Sequence, residues 1–349
     1  SGFTGFKLGS YTSTGAFTSD DELVTDQEIE STLVSGSSPS VALGPEDDKL
    51  IAYTAQSGGI NAFHLLRANG DWPPMPGEGP GQNPVAFSPG TNVVKTQVTP
   101  LPEATISEID TNADVVYGAA WYATSGTTLY YDVVKRGIHQ AATAQTVSDN
   151  ATGVFSLSQK GLEPVLAYTE QNDTKVDLRL RRIDPETGTL GAEQTVWTER
   201  TVDDVAAIRI LSDSTVVAWT QVITSRREVH AMTVYDNGSF GTEYIIAVGI
   251  DPSNAVAMAP LGQFAVLAYR GGPITDKEVR VTMLKGDAAF AFDGTEYEYF
   301  VVDELGDVTD VDLGPPSLAV SGDDTTVALG WSESDGTGRT RLALLSCTY

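Results

Sequence analysis

Short apolar runs, separated by polar and turn-forming residues, follow one another along most of the chain. The clearest example is a set of four β-prone runs at residues 205–210, 215–220, 228–235 and 243–248. Between the last two runs, Asp236-Asn237-Gly238 predicts a tight turn, because Asn and Gly tolerate positive φ. No window has a sustained helical period. The pattern therefore predicts units of four antiparallel strands, called a to d below, and almost no helix.

A small residue followed by an aromatic closes strand b in six places. The six phrases are Ile51-Ala52-Tyr53, Ala119-Ala120-Trp121, Leu166-Ala167-Tyr168, Val217-Ala218-Trp219, Leu267-Ala268-Tyr269 and Leu329-Gly330-Trp331. Successive aromatics are 68, 47, 51, 50 and 62 residues apart, a period that suits a four-stranded unit and is too long for most helical repeats. We therefore predict one repeat domain over residues 1–349, with units starting near residues 38, 103, 152, 204, 254 and 316.

Six four-stranded antiparallel sheets without helices resemble the blades of a six-bladed β-propeller, whose radial arrangement protects the sheet edges. A two-sheet sandwich is the alternative, but it does not explain why the same aromatic closes every second strand. The C-terminal unit stops after strand c, and residues 22–25 have the pattern of the missing strand d. We expect residues 1–30 to complete the last blade and close the ring, with residues 6–11 as a surplus strand.

The chain is strongly acidic, with 47 acidic and 21 basic residues and a net charge of −26. This charge disfavours nucleic acids and anionic membranes, which bind through Lys and Arg. It suits a cation-rich medium or a sugar or peptide ligand, although a solvated acidic surface is the simpler interpretation. The single cysteine, Cys347, excludes an intramolecular disulfide and a CxxC metal site. No apolar run approaches the length of a membrane span.

Acidic residues recur where strand d leads into the next strand a. They are Glu103, Asp149, Asp203, Asp204, Asp251, Asp307, Asp310 and Asp312. In a propeller these junctions and the b-c loops emerge on one face, the usual ligand face of the fold. Carboxylates there could bind a hard cation such as Ca²⁺, with Asp307, Asp310 and Asp312 as the candidate ligands. Their spacing is not that of an EF-hand, and ordinary turn and cap chemistry is the alternative.

Candidate ligand-binding residues lie in or beside the loops. Trp72 opens a Pro/Gly-rich insertion that is either a contact surface or a functionless loop. Arg226 and Arg227 lie in a b-c loop, and Arg270 directly follows a recurrent aromatic. The six recurrent aromatics are expected to fill the core between blades rather than to stack on sugars. His64, His139 and His230 are expected to be buried or edge residues with ordinary hydrogen bonds.

One unit resembles the repeat of the fungal fucose-binding lectins, which are six-bladed propellers. The likeness rests on Ala119-Ala120-Trp121, the paired tyrosines of residues 128–132 and Gly137-Ile138-His139-Gln140, and it weakens over residues 165–180. The family's ligand sites need an Arg and a Glu at matching places in every blade. Arg179, Arg280 and Arg341 fit on strand c, whereas Phe63, Tyr130 and His230 stand there in other units. The resemblance therefore implies the fold, and the ligand pattern is not transferred.

The sequence favours a non-catalytic, secreted or cell-surface propeller that engages carbohydrate or protein through its loop face. An extracellular polysaccharide hydrolase or lyase with acids at the channel mouth is the second hypothesis. A structural subunit of a surface assembly is the third, in which the surplus terminal strand forms a homo-oligomer by adding to a neighbour's sheet.

Overall fold

Every regular element in the part of the chain that the structure describes is a β-strand. A computed structural model describes the protein over residues 6–11, 17–24, 32–33, 40–43, 49–57, 60–67, 85–87, 92–101, 116–135, 144–158, 163–185, 187–223, 226–249, 255–271, 278–285, 300–303, 312–313, 316–320, 326–334 and 339–346. Within these ranges there is no helix long and apolar enough to cross a membrane.

The first strands form a hairpin of their own. Strands β1 (Phe6–Tyr11) and β2 (Phe17–Val24) pair antiparallel as a two-stranded sheet. The predicted closing strand at residues 22–25 overlaps β2, whose described partner is β1. Pairing of this segment with the C-terminal sheet therefore stays a prediction.

Five sheets follow that are each four antiparallel strands wide, and we call them blades 1 to 5. Blade 1 comprises β3 (Thr32–Leu33), β4 (Ser40–Leu43), β5 (Lys49–Ser57), β6 (Ile60–Arg67) and β7 (Val85–Phe87). Because β3 and β4 pair with opposite halves of β5, these five segments occupy four strand positions. Blade 2 comprises β8 (Val93–Pro100), β9 (Val116–Ala123), β10 (Thr128–Lys135) and β11 (Gln145–Ser148).

The next three blades have the same up-and-down order. Blade 3 comprises β12 (Ala151–Leu157), β13 (Val165–Asn172), β14 (Lys175–Ile183) and β15 (Leu190–Arg200). Blade 4 comprises β16 (Val202–Leu211), β17 (Ser214–Ile223), β18 (Arg226–Tyr235) and β19 (Tyr244–Val248). Blade 5 comprises β20 (Val256–Leu261), β21 (Phe264–Gly271), β22 (Glu278–Lys285) and β23 (Phe300–Asp303).

The last sheet is narrower than the blades. It comprises β24 (Asp312–Leu313), β25 (Ser317–Val320), β26 (Thr326–Ser334) and β27 (Arg339–Ser346). Strands β24 and β25 both pair with β26 on one side, and β27 pairs with it on the other, so the sheet is three strands wide. The prediction of four-stranded antiparallel propeller blades is confirmed, but there are five such blades and not six, because the sixth sheet has no fourth strand among the described segments.

One strand differs from its predicted position. The predicted unit starts near residues 38 and 103 place residues 93–98 in the first unit, as its strand d, whereas β8 is the first strand of blade 2 and pairs with β9. The fourth strand of blade 1 is instead the short apolar segment β7. Blade 2 therefore begins at Val93 rather than near residue 103.

The chain divides into two compact regions, residues 1–153 with 183–191 and residues 154–182 with 192–349. In the second region, apolar side chains fill the space between each blade and the next. Val217 and Trp219 on β17 pack in a cluster with Val165 and Ala167 of blade 3. Their neighbours on the strand, Val216 and Ala218, pack on the other face with residues of blade 5. This alternation follows from the two-residue period of a strand, and it places the core between stacked sheets.

The recurrent aromatics belong to this core, as the sequence predicted. Tyr269 packs in the cluster between blades 4 and 5, and Trp331 in the cluster between blade 5 and the C-terminal sheet. In the first region, Trp121 packs between blades 1 and 2. Trp121, Trp219, Tyr269 and Trp331 therefore face the preceding sheet, and Ala218 and Ala268, the small neighbours of two of them, face the following one.

Candidate functional site

The six recurrent aromatics mark one position in the register between strands b and c. The residues opposite them are His64 for Tyr53, Tyr130 for Trp121, Arg179 for Tyr168, His230 for Trp219, Arg280 for Tyr269 and Arg341 for Trp331. The register assigns His64 to this position, and not Phe63 as the sequence suggested. Five of the six residues are cationic or can become so, and opposite residues in an antiparallel pair share a face of the sheet.

An acid precedes the cation by two residues in three successive blades. Asp177 Oδ2 lies 3.0 Å from the Arg179 guanidinium in blade 3. Glu228 Oε2 lies 2.9 Å from His230 Nε2 in blade 4, and the Glu278–Arg280 pair in blade 5 is separated by 2.6 Å. Residues two apart on a strand point to the same face. Strand c therefore carries an acid-base pair beside each of these three aromatics.

A polar group centred on blade 4, which we call the blade-4 cluster, comprises Arg200 from the end of blade 3 together with Gln221, Glu228, His230 and Glu243. His230 lies at its centre. Its Nε2 is 2.8 Å from Gln221 Nε2 and 2.9 Å from Glu228 Oε2, and its Nδ1 is 2.8 Å from Glu243 Oε1. The imidazole is thus held between two carboxylates, one from strand c and one from just before strand d.

Arg200 joins this cluster to the aromatic core. Its two terminal nitrogens donate hydrogen bonds of 2.5 and 2.7 Å to the two oxygens of Glu243. The guanidinium carbon lies 5.2 Å from the Trp197 ring centroid and 5.6 Å from that of Trp219. Trp219 in turn stacks on His230 with the rings 5.5 Å apart and 17° from parallel. Bidentate pairing and cation–π contacts together fix the planar guanidinium in one orientation.

The cluster runs from the interior to the surface. Glu228 and His230 are buried, whereas the side chains of Arg200 and Glu243 are both 30% exposed. Burial raises the pKa of the Glu243 carboxyl, but hydrogen bonds to His230 and Arg200 outweigh burial and lower its pKa to about 2. Glu243 is therefore ionised at neutral pH and offers an acceptor beside the donors of Arg200.

A strained backbone position places Arg200. The residue before it, Glu199, has φ 60°, in the left-handed region that non-glycine residues seldom occupy. The Glu199 amide donates a hydrogen bond of 3.1 Å to Asp177 Oδ1, and Asp177 is buried in blade 3. Asp177 thus stabilises the bend through which the last strand of blade 3 directs Arg200 into the cluster of blade 4.

Blade 3 repeats the arrangement with other side chains. Arg179 lies 3.0 Å from both Glu170 and Asp177 and 3.6 Å from Glu193, and it also donates to the Thr195 hydroxyl. The Tyr168 hydroxyl donates a 2.5 Å hydrogen bond to Glu193, and its pKa is raised by burial first and then by that carboxylate. A strand c Arg or His between two carboxylates is therefore common to blades 3 and 4.

Two of the predicted ligand-binding residues lie next to the blade-4 cluster. Arg226 and Arg227 begin strand c, at the end of blade 4 where strand b turns into strand c, which we call the b-c edge. Arg226 is 58% exposed, and its Nε is 2.7 Å from Glu228. The Arg227 Nε donates a 3.0 Å hydrogen bond to Asp203. Arg270, the third predicted residue, is only 3% exposed within β21 and so is part of the interior.

Several predicted residues give no test of their roles. Trp72, Asp307, Asp310 and His139 lie outside the described residues, as does the Asp312 side chain, although Asp312 begins β24. No group of three or more His, Cys, Asp or Glu residues within the described ranges is arranged to hold a metal ion. Of the acids at the junctions, Asp203 pairs with Arg227, and Asp204 accepts a 3.1 Å hydrogen bond from the Val256 amide. A Ca²⁺ site at Asp307, Asp310 and Asp312 stays a prediction.

The sequence pattern did not indicate Arg200, Gln221 or Glu243. It predicted His230 as a buried or edge residue with ordinary hydrogen bonds, and the side chain is buried. The acid-x-cation spacing of Asp177 and Arg179, repeated at Glu228 and His230, was the signal that could have located the site. Arg200 and Glu243 come from other strands, and no spacing in the sequence connects them with His230.

Comparison with known proteins supports the fold. No protein-family profile matches the chain, and no curated protein matches it by sequence. Among solved structures, Kuenenia stuttgartiensis hydrazine synthase is similar over 98% of this chain and 90% of its own, with 12% identity and a TM-score of 0.53. Prolyl oligopeptidase B from Galerina marginata is similar over 94% of this chain but only 45% of its own, with 10% identity and a TM-score of 0.50.

A third structure is more distant. The α-L-arabinofuranosidase from Lactobacillus brevis is similar over 67% of this chain and 87% of its own, with 12% identity and a TM-score of 0.41. At these identities the likenesses concern the fold alone. The chain has the fold of an all-β propeller built from four-stranded antiparallel blades.

Proposed function

We propose that this protein is a non-catalytic, extracellular binding propeller that engages a carbohydrate or protein ligand through the exposed side of the blade-4 cluster and the b-c edge next to it, which Arg226 joins to the cluster through Glu228. The main structural support for this proposal is the ion pair of Arg200 and Glu243. Their bidentate contact, backed by Trp197 and Trp219, presents fixed donors and an ionised acceptor that are each 30% exposed. Adjacent donors and acceptors on an aromatic support suit the vicinal hydroxyls of a sugar or the polar groups of a peptide.

The hydrolase or lyase hypothesis has weaker support from the electrostatics. A glycosidase acid needs a carboxyl group with a raised pKa. Among the residues that the structure describes, two carboxyl groups have a displaced pKa, Asp236 and Glu243, and both are displaced downward. For Asp236 the hydrogen bond from Arg209 is the largest cause, and for Glu243 the contacts with His230 and Arg200 outweigh burial. A lowered pKa of this kind is typical of a carboxylate in an ion pair that fixes the structure, and not of a catalytic acid.

Closure of the ring by residues 1–30 is part of this proposal. A chain that lacks residues 1–30 should have a lower melting temperature than the full chain, because the three-stranded C-terminal sheet would lose the strand that completes it. An unchanged melting temperature would contradict closure. The result would not bear on ligand binding, which is measured separately.

A glycan array tests the proposed function. The full chain should bind one or more glycans without turning them over, and Arg226→Ala should weaken binding at least about tenfold while leaving the fold intact, since Arg226 is the most exposed cation at the edge. Lys285→Ala, an exposed cation at the opposite end of a strand c, is the matched control and should bind as the unaltered chain does. Product formation would favour the hydrolase hypothesis. Equal binding by the unaltered chain, Arg226→Ala and Lys285→Ala would show that the ligand does not bind at this edge.

A further inference from the structure

The outer strand of blade 4 differs from the other outer strands whose side chains the structure describes. In blades 2 and 3, the exposed positions of β11 and β15 carry Gln145 and Thr146, and Ala192, Glu193, Thr198 and Glu199. Polar and charged side chains of this kind discourage another strand from pairing with a sheet edge. In blade 4, the exposed positions of β19 carry Ile245 and Val248, which are 48% and 53% exposed.

A bulge brings these two apolar side chains to the same face. Ile245 lies opposite His230 and Val248 lies opposite Glu228, with a register shift between them. His230 and Glu228 are two residues apart and share a face, so Ile245 and Val248 share it as well, although they are three residues apart. The bulge therefore gathers two apolar residues beside one edge.

Strand β19 is hydrogen-bonded on one side only among the described strands. Its partner is β18, and it ends the strand order of the sheet. A strand in this position has a row of backbone donors and acceptors on its other side that can pair with a further strand. Phe240, which precedes β19 in the c-d turn, adds a third exposed apolar side chain.

Charge along the strand indicates which partner fits. Glu243 directly precedes β19, and the other end of the strand lies beside the basic pair Arg226 and Arg227, because the Gly249 amide donates a 2.9 Å hydrogen bond to the Arg227 carbonyl. Within the chain, Glu243 pairs with Arg200 and His230, Arg226 with Glu228, and Arg227 with Asp203. In an antiparallel pair of two identical strands, the acidic end of one copy meets the basic end of the other and extends these ion pairs. Strand β18, which carries Arg226 and Arg227, would lie two strands from β19 of the partner subunit, a distance of roughly 10 Å. This distance is within the combined reach of an arginine and a glutamate side chain.

We propose that β19 pairs antiparallel with β19 of a second copy of this chain, forming a two-fold symmetric dimer. In the register that buries the most apolar surface, Ile245 lies opposite Val248 of the partner subunit. Each interface then consists of two cross-strand apolar pairs flanked by complementary charges. The dimer shares Glu243 and Arg226 with the proposed ligand site, but its apolar pairs involve Ile245 and Val248 and need no ligand. It uses a strand other than the terminal one predicted from the sequence.

Sedimentation equilibrium of the full chain between about 1 and 100 µM tests the proposal. The unaltered protein should approach twice the 37.0 kDa of the chain. Ile245→Lys should raise the dissociation constant at least about tenfold, because it brings a charge into the interface. Thr198→Lys, at an exposed position on the outer strand of blade 3, is the matched control and should dimerise as the unaltered protein does.

Two further measurements keep the result decisive if Ile245→Lys misfolds. Val248→Lys should dissociate the dimer in the same way, and the amide hydrogens of residues 244–248 should exchange faster as the unaltered protein is diluted. A monomer at every concentration would overturn the proposal. So would a dimer that resists both lysine variants, including one that disappears only when residues 1–11 are removed. Glycan binding that survives in Ile245→Lys would show that the two proposals are separate.

Discussion

Replacing Glu243 with Gln should remove the stabilisation that the blade-4 cluster gains from its ionised carboxylate. Contacts with His230 and Arg200 lower the pKa of this carboxyl from its ordinary value of 4.5 to about 2. A difference of this size corresponds to about 3 kcal/mol of folding free energy. Since the side chain is 30% exposed, solvent screening reduces the expected contribution to about 2 kcal/mol.

The direction of the pH dependence follows from the lowered pKa. The folded protein holds Glu243 ionised at a pH where the unfolded chain would protonate it, so the contribution is complete above about pH 4.5 and is lost as the pH falls towards 2. Urea unfolding at pH 7 should show Glu243→Gln about 2 kcal/mol less stable than the unaltered protein, with a smaller difference at pH 3. Asp149→Asn, which neutralises an exposed carboxylate in the turn after β11, is the control. Equal stability of Glu243→Gln and the unaltered protein at pH 7, or a difference that grows towards pH 3, would show that the ionised carboxylate does not stabilise the fold.

Three further changes probe the fold around the site by urea unfolding. Trp219→Ala should lower the free energy of unfolding by about 3–5 kcal/mol, because the fully buried ring fills the core between blades 3 and 4. A decrease below about 1 kcal/mol would argue against a core role. Gly271→Ala should lower the free energy of unfolding by about 1–2 kcal/mol, since the added Cβ would lie 2.5 Å from Arg280 Cδ and displace that side chain from Glu278. Unchanged stability would mean that the Arg280 side chain can shift away from residue 271 without loss. Glu199→Gly should stabilise the protein by about 0.5 kcal/mol, because relief of the φ 60° backbone outweighs the added freedom of the unfolded chain; a loss of stability would show that the bend is unstrained.

The architecture could be predicted because each repeat has an aromatic residue at the same position in its second strand. The apolar run and aromatic that end at Trp219 occur at the same place in the other units, and a strand buried on both faces needs such a run. The number of blades was harder to predict from the sequence. Whether a fourth strand completes the last sheet depends on pairing between distant parts of the chain, and β2 has the composition of such a strand but pairs with β1.

The site could be predicted only in part. Arg226 was predicted because the sequence places it in a polar loop after a recurrent aromatic, and loops of a regular scaffold often carry binding residues. In the structure it begins strand c, and its role in binding stays a prediction. Arg200 and Glu243 were missed because they reach His230 from different strands, across a bend at Glu199 that depends on a hydrogen bond to Asp177. Arg270 was misplaced because a charged residue after the aromatic suggested a loop, whereas strand b continues to Gly271.

The decisive measurement is a crystal structure of the protein with the best ligand from the glycan array. We expect intact ligand on the blade-4 cluster and the adjoining b-c edge, with its polar groups within hydrogen-bonding distance of Arg200, Glu243 or Arg226. A ligand bound at the opposite edge of the blade, or a cleaved product at this one, would contradict it.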